Sequence, residues 1–290
     1  TNKESNSLSV YSISPTGLKQ IFEKPAGDEP RGVAFSKDGA KLYVCLSGED
    51  KIAEFDAREG RQLRTLDVGT EPWHLSITSD GARIAVGNAR SQEVSVVDIK
   101  GWKVGHEVKM RGKNLRHIVC SKDGEWAYIL HDAERGRPTT KDNIDLGWVI
   151  GSRLSRAPLK ADGPREAIAL DIRGKAVGDV DGLDISPDGS TIALSAGGTH
   201  EVVLLKTPLP FVSFGGPGDH VESEVKDTPG KYRRVITGGR PLGLRFLHGG
   251  SQIVVANYFE NALQIINTNS GQITQTIPLG SAPTISVARK

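Results

Sequence analysis

The sequence is poor in sulfur and in aromatic rings: its 290 residues include two cysteines, one methionine and 6% Phe, Trp and Tyr. Cys45 and Cys120 form neither a CxxC nor a CxxCH pattern, which excludes an encoded zinc knuckle and a covalent haem attachment site. Each sits in a strand-like apolar run, LYVCLS or HIVCS, so both read as buried thiols. They fall in different repeats with another between them, which argues against a bridge. No apolar stretch approaches the roughly 18 residues of a membrane span. There is no concentrated Lys/Arg run: 37 basic against 35 acidic side chains leave a formal charge of +2, so nucleic acid is not the expected partner. The GxSxG elbow and the HExxH helix are both missing, and with them two families of hydrolytic chemistry. The chain begins at Thr1 with no signal-peptide pattern, and the natural chain is expected to extend beyond one or both of these ends.

What the sequence has instead is a repeat. "PRGVAFSKDGAKLYV" at 30–44 returns as "PWHLSITSDGARIAV" at 72–86, and SKDG (121–124), SPDG (186–189) and LHGG (247–250) continue the series. A Ser, Thr or Asp side chain caps the local backbone and Gly accepts a positive φ, which is the chemistry of a hairpin corner. The flanking runs alternate and are rich in β-branched residues, so they are strands. After each hairpin comes a third strand: KIAEFD, EVSVVD, EAIALD (166–171), EVVLLK and ALQIIN. Then a turn and a fourth strand follow. Four antiparallel strands per unit, with the first glycine turns 42 and 43 residues apart, predict propeller blades. The next spacings, 65 and 61, assign insertions to about 132–163 and 207–231. The expected fold is all-β: one propeller domain over 1–290 with six four-stranded blades (seven if residues are missing). Its sixth blade is composite, closed by pairing the N-terminal strands with APTISVA at 282–288.

The residues TNKESNSLSVYSI and GVAFSKDGAKLYV, with VVAN at 254–257, resemble YVTN-type propeller repeats over nearly the whole chain. The insertions NIDLGWVIGSRLSR (143–156) and LPFVSFGGPGDH (209–220), with ANYFENALQIIN (256–267), are similar to segments of bacterial extracytoplasmic proteins. In those proteins a YVTN propeller precedes a domain like the dihaem cytochrome c peroxidases. The resemblance implies a periplasmic or extracellular bacterial protein. It also implies a c-type cytochrome domain or protein as partner, with haem c on that partner and no cofactor in this chain.

In a propeller the first strand of each blade lines the central channel, and the second-to-third connections share a face with the starts of those strands. This expectation gathers Arg31, Trp73, His74, Arg116, His117, Asp181 and Arg240 at one channel mouth. It makes the first insertion a lid over them, carrying His131, Trp148 and Arg153, and sends the second insertion to the opposite rim. Three chemistries compete there. His74 and His117 recur at matching positions and are candidate copper or zinc ligands, although the other blades supply Arg31, Asp181 and Leu242. A lactonase-like calcium site needs several channel carboxylates, and Asp181 is the one in that ring. Arginine and aromatic side chains carry the energy of interfaces. The reading adopted is therefore a non-catalytic docking or scaffold propeller. A lactonase-like or copper-dependent propeller enzyme and a surface adhesion module are the alternatives.

Overall fold

A computed structural model describes residues 1–15, 17–134, 136–146, 148–161, 163–213, 218, 220–247 and 249–280. APTISVA, with the pairing of chain ends assigned to it, lies outside the described residues. So does most of GGPGDH, of which Gly218 and His220 are described.

The described residues are all-β. A two-stranded sheet, β1 (Ser7–Ser14) and β2 (Gly17–Pro25), is followed by five four-stranded antiparallel sheets. These are β3 (Pro30–Phe35), β4 (Lys41–Leu46), β5 (Lys51–Asp56) and β6 (Gln62–Asp67); then β7 (Pro72–Ile77), β8 (Arg83–Asn88), β9 (Glu93–Asp98) and β10 (Lys103–Lys109). Next come β11 (Ile118–Cys120), β12 (Trp126–Glu134), β13 (Ile150–Pro158) and β14 (Glu166–Ala169). The last two sheets are β15 (Val180–Ile185), β16 (Thr191–Ala196), β17 (Glu201–Lys206) and β18 (Tyr232–Ile236), and β19 (Pro241–Phe246), β20 (Gln252–Asn257), β21 (Ala262–Asn267) and β22 (Ile273–Pro278). In every one the strands lie side by side in chain order, the blade of a β-propeller, and with β1–β2 as a partial sheet the count fits six. Among the described residues helix is confined to two short α-helical turns, α1 (Lys141–Asp145) and α2 (Ser223–Lys226), and a 3-10 turn at Ser47–Glu49.

One strand assignment is corrected. EAIALD supplies β14, the fourth strand of its sheet, and the third is β13, which lies inside the stretch read as an insertion. The irregular part is shorter than the spacing suggests because β12 runs on to Glu134 and β13 resumes at Ile150.

The chain divides into two compact units, Thr1–Asp132 with Ser155–Glu166 and Ala133–Leu154 with Ala167–Lys290. In the first, period-2 alternation sends each central strand to two cores at once. Leu42, Val44 and Leu46 of β4 meet Leu8, Val10 and Phe22, while Tyr43 and Cys45 on the other face meet Leu75, Ile84 and Val86. Ala85 of β8 turns to a third cluster with Val94, Val96, Met110, Leu115 and Ile129. A strand buried on both faces needs an unbroken apolar run, which is what KLYVCL is. In the second unit Ala193, Val202, Leu204 and Val235 pack on Leu244, Ile253, Val255 and Ile266. Each buried Val, Leu, Ile, Phe or Met side chain contributes roughly 1.5–3 kcal/mol.

The hairpin corner repeats down to its hydrogen bonds. Ser36, Thr78, Ser121 and Ser186 each donate a hydroxyl to the Asp two residues on. That Asp accepts a backbone N–H just past the glycine, from Ala40, Ala82, Glu125 or Ser190. Gly39, Gly81, Gly124 and Gly189 hold φ between 70° and 74°.

Candidate functional site

A second repeated device was not legible as a motif. In four of the five four-stranded sheets the residue immediately before the first strand is left-handed: Glu29 (φ 46°), Glu71 (58°), Asp179 (52°) and Arg240 (47°). Its carbonyl accepts from the chain that follows the second strand, from Ser47, Ala89, Gly197 and Tyr258 at 2.9–3.1 Å. In three cases its own N–H is taken by a side chain of the preceding sheet: Asn6 for Glu29, Asp50 for Glu71, His200 for Arg240. Left-handed geometry in a residue with a Cβ costs about 1–2 kcal/mol, and here hydrogen bonds on the residue's own carbonyl and, in those three cases, its N–H hold it. Just beyond it the ladder slips, between Pro30 and Val33 and between Pro72 and His74. Bulges of this kind aim side chains away from the sheet.

In the first unit that geometry assembles a compact cationic and aromatic group. Gly32 lies so close to β7 that a Cβ there would stand 2.7 Å from the His74 Cα, and the tight approach sets Arg31 beside Trp73. The Arg31 guanidinium carbon lies 4.3 Å from the Trp73 ring centroid, and that of Arg116 lies 4.6 Å from the same ring. Trp73 donates its indole N–H to Glu71 Oε1 at 2.9 Å, which fixes the ring. Glu29 lies 3.5 Å from Arg31 and 3.3 Å from Lys3. Other tryptophans of this unit carry one guanidinium each, Arg64 on Trp102 and Arg156 on Trp126. A guanidinium stacked by its face keeps its in-plane N–H donors for an acceptor.

His74 and His117 also come together, their centroids 3.7 Å apart and their planes 31° from parallel. An imidazole lone pair lies in the ring plane, so two rings stacked in this way direct their lone pairs side by side rather than onto a common point. Among the described residues no three His, Cys, Asp or Glu side chains gather as a metal site.

The lid residues behave differently. The reading that sets His131 and Arg153 at the rim does not hold: both are buried, 1% and 3% exposed, because they belong to β12 and β13 rather than to a loop. His131 Nε2 meets Ser155 Oγ at 2.7 Å, and desolvation pushes its pKa down to about 4, with Arg165 nearby acting in the same direction. In the second unit Arg153 faces Asp171 at 3.5 Å and donates to the carbonyls of Ser152 and Gly218. Asp171 is also taken by the backbone N–H groups of Ser152 and Val177. Trp148 lies under Arg137, 4.9 Å from the guanidinium carbon, and Arg240 pairs with Asp179 at 3.3 Å. Asp181 is half-buried on β15.

The opposite-rim placement of the second insertion is overturned within this unit. His220 meets the Leu146 carbonyl at 3.0 Å, Val212 bridges to Ala167, and Val221 donates to the Asp171 carbonyl. Val212 thus pairs with the edge of β14, and Val221 with the residues just past its end.

Sequence reasoning missed Glu29 and Glu71. The signal was present as a repeated Glu-Pro ahead of two first strands, in DEPRG and TEPWH.

No family model matches the chain. Subunit 3 of the THO complex from Arabidopsis thaliana is 25% identical over 228 residues, 75% of this chain and 66% of that protein. The beta subunit of hydrazine synthase from Kuenenia stuttgartiensis is 27% identical over 219 residues, 72% of this chain and 56% of that protein. The chain thus spans less than two thirds of either relative. Among solved structures, Kuenenia stuttgartiensis hydrazine synthase superposes with a TM-score of 0.61 at 18% identity, covering 92% of this chain and 91% of that one. Virginiamycin B lyase from Staphylococcus aureus gives 0.64 at 13%, covering 96% and 79%. The likeness is one of fold. It places this chain among β-propellers.

Proposed function

We propose that this chain is a non-catalytic docking module of the YVTN propeller class. It holds a c-type cytochrome domain or protein in an extracytoplasmic electron-transfer assembly, with haem c carried by that partner. The observation that carries the reading is the double stacking of Arg31 and Arg116 on Trp73. Arginine and tryptophan dominate interface energetics, and side chains held in place before binding lose little entropy on association. Two of the curated relatives are named as subunits, of the THO complex and of hydrazine synthase, which supports a scaffold role. The insertions' resemblance to cytochrome-linked propellers supports the choice of partner and a periplasmic or extracellular bacterial setting.

The test is binding of the purified chain to the dihaem peroxidase-like cytochrome of its own host, followed by interferometry. Saturable binding is expected, weakened at least tenfold by Trp73→Ala, which is about 1.4 kcal/mol or more. Absence of binding, or binding indifferent to that change, overturns the reading. Turnover of a lactone by the chain alone, or near-stoichiometric copper lost in His74→Ala, would favour the enzyme alternatives. Binding to a host surface instead of the cytochrome would favour adhesion.

A further inference from the structure

Outside the Trp73 group, the second unit carries two large rings that the fold does not require. In four sheets the chain just past the second strand repeats one pair of backbone hydrogen bonds. Ser47 and Gly48 donate to the carbonyls of Glu29 and Asp28, Ala89 and Arg90 to those of Glu71 and Thr70, and Gly197 and Gly198 to those of Asp179 and Gly178. Tyr258 and Phe259 do the same towards Arg240 and Gly239, at 3.1 and 3.2 Å. Serine, alanine and glycine suffice elsewhere, yet here both side chains are aromatic and stand 67% and 52% exposed.

The rings stand among polar groups. The Phe259 centroid lies 5.8 Å from that of Tyr258 and 6.1 Å from that of His200, with planes 58° and 55° apart. The Arg240 guanidinium carbon is 6.0 Å from the Phe259 centroid, and that guanidinium pairs with Asp179 at 3.3 Å while both side chains stay partly exposed. The pair cancels its own charge and still offers donors and acceptors at its edges. His200 Nδ1 accepts the Arg240 N–H at 2.9 Å, which puts the proton of the neutral ring on Nε2 as a further donor. The backbone beside the rings is bare. A Cβ on Gly239 would stand 3.2 Å from the Phe259 Cβ, and one on Gly197 would stand 3.3 Å from the Arg240 Cγ. Asn257, the last residue of β20, is 2% exposed, and neither of its amide atoms has a partner among the described residues. Asn88, the last residue of β8, donates to Ser95 at 2.8 Å. An enclosed amide with a donor and an acceptor unspent is costly, and a hydroxyl serves both.

These features select a ligand that is apolar on one face, rich in hydroxyls at its rim and uncharged. A sugar ring is such a ligand: the C–H bonds of its face carry partial positive charge and meet the negative face of an aromatic ring, while its hydroxyls take the polar side chains around it. A protein partner fits less well. Protein interfaces seal their aromatic anchors inside a wider apolar patch, and these rings are bordered by glycine and charge. We propose that Tyr258 and Phe259, with His200 and the Arg240–Asp179 pair, form a binding site for a neutral oligosaccharide. The site is independent of the docking reading, since it uses none of the Trp73 group.

The test uses the whole chain and, as probes, the tetrasaccharides of glucose, mannose, galactose and N-acetylglucosamine. Calorimetry and thermal melting are read on the wild type, Tyr258→Leu, Phe259→Leu, Phe259→Tyr and Tyr11→Leu, the last at an exposed ring on β1. At least one probe is expected to bind the wild type saturably. Binding should weaken about tenfold or more in each leucine variant of the pair, which keeps apolar bulk but loses the ring face. It should persist in Phe259→Tyr and in Tyr11→Leu. Both leucine variants of the pair should melt with the wild type, because Gly197 and Gly198 make the same backbone bonds with no side chain. The proposal is overturned if no probe binds, if binding survives Phe259→Leu, or if Tyr11→Leu weakens it equally. A leucine variant that melts lower would show that the rings serve the fold, and loss of binding to the proposed cytochrome partner in these variants would assign them to a protein interface; either result also overturns it.

Discussion

His131 shows how burial alone sets the chemistry of a side chain. It lies on β12, 1% exposed, with its ring nitrogens spent on Ser155 Oγ and the Asp132 carbonyl. Its folded pKa is about 4 against an ordinary 6.5, so the folded protein prefers the neutral ring. Because the folded value is the lower one, its contribution to stability is complete above pH 6.5 and is lost as the pH falls towards 4. The full loss is on the order of 3 kcal/mol at about 1.4 kcal/mol per unit. Urea unfolding of wild type and His131→Gln at pH 7.5, 6 and 5 should therefore converge as the pH drops. A constant gap between the two across that range would show that His131 does not titrate on unfolding. The same residue marks a limit of sequence reading: whether a histidine in a strand-flanking run faces solvent or core depends on how far β12 continues, and that is decided by pairing with β13.

At the level of the element, the turn sequence S/T-x-D-G encodes its own hydrogen bonds, which is why it could be read without coordinates. The carboxyls of Asp38, Asp80, Asp123 and Asp188 are all held below the ordinary 3.8, first by the neighbouring hydroxyl and then by a backbone N–H. Their contribution is present above that value and disappears as the pH falls through the lowered ones, well below the window in which His131 acts. Gly124 has φ 70° and open space where a Cβ would point, so Gly124→Ala should cost only the backbone term, about 1 kcal/mol in chemical denaturation. Gly124→Asn should cost less, since Asn tolerates the left-handed region. Equal stability of the alanine variant and the wild type would mean that the turn relaxes. The left-handed residues before the first strands are a contrasting case. Glu29, Glu71 and Arg240 are not residue types that announce a positive φ; a neighbouring sheet's side chain imposes it.

For the whole molecule, the near balance of 37 basic and 35 acidic residues argues that the docking proposed above would be driven by local groups rather than by a long-range field. Raising salt from about 50 to 500 mM should change the association rate with the proposed cytochrome partner by less than about tenfold, while Trp73→Ala should act mainly on dissociation. A steep fall of the association rate with salt would point instead to a steered, charge-dominated encounter. The thiols supply a second readout at this scale. Burial raises the pKa of both Cys45 and Cys120, the latter to about 11, so neither should react with a thiol reagent until the first unit opens.

The blade could be read from the amino-acid sequence because its determinants are local. Alternation at period 2 makes a strand, and a hydroxyl, a carboxylate and a glycine at fixed offsets make a corner. The same corner at regular spacing then makes a repeat. That register alone led to the expectation that Arg31, Trp73, His74, Arg116 and His117 stand at the starts of first strands. Which residues touch was a tertiary matter. Two guanidiniums on one indole, two stacked imidazoles, a histidine and an arginine withdrawn into the core, and an insertion laid along the edge of β14 all depend on distances between segments far apart in the chain. Those distances are set by packing between neighbouring sheets, and no periodicity within a single strand records them.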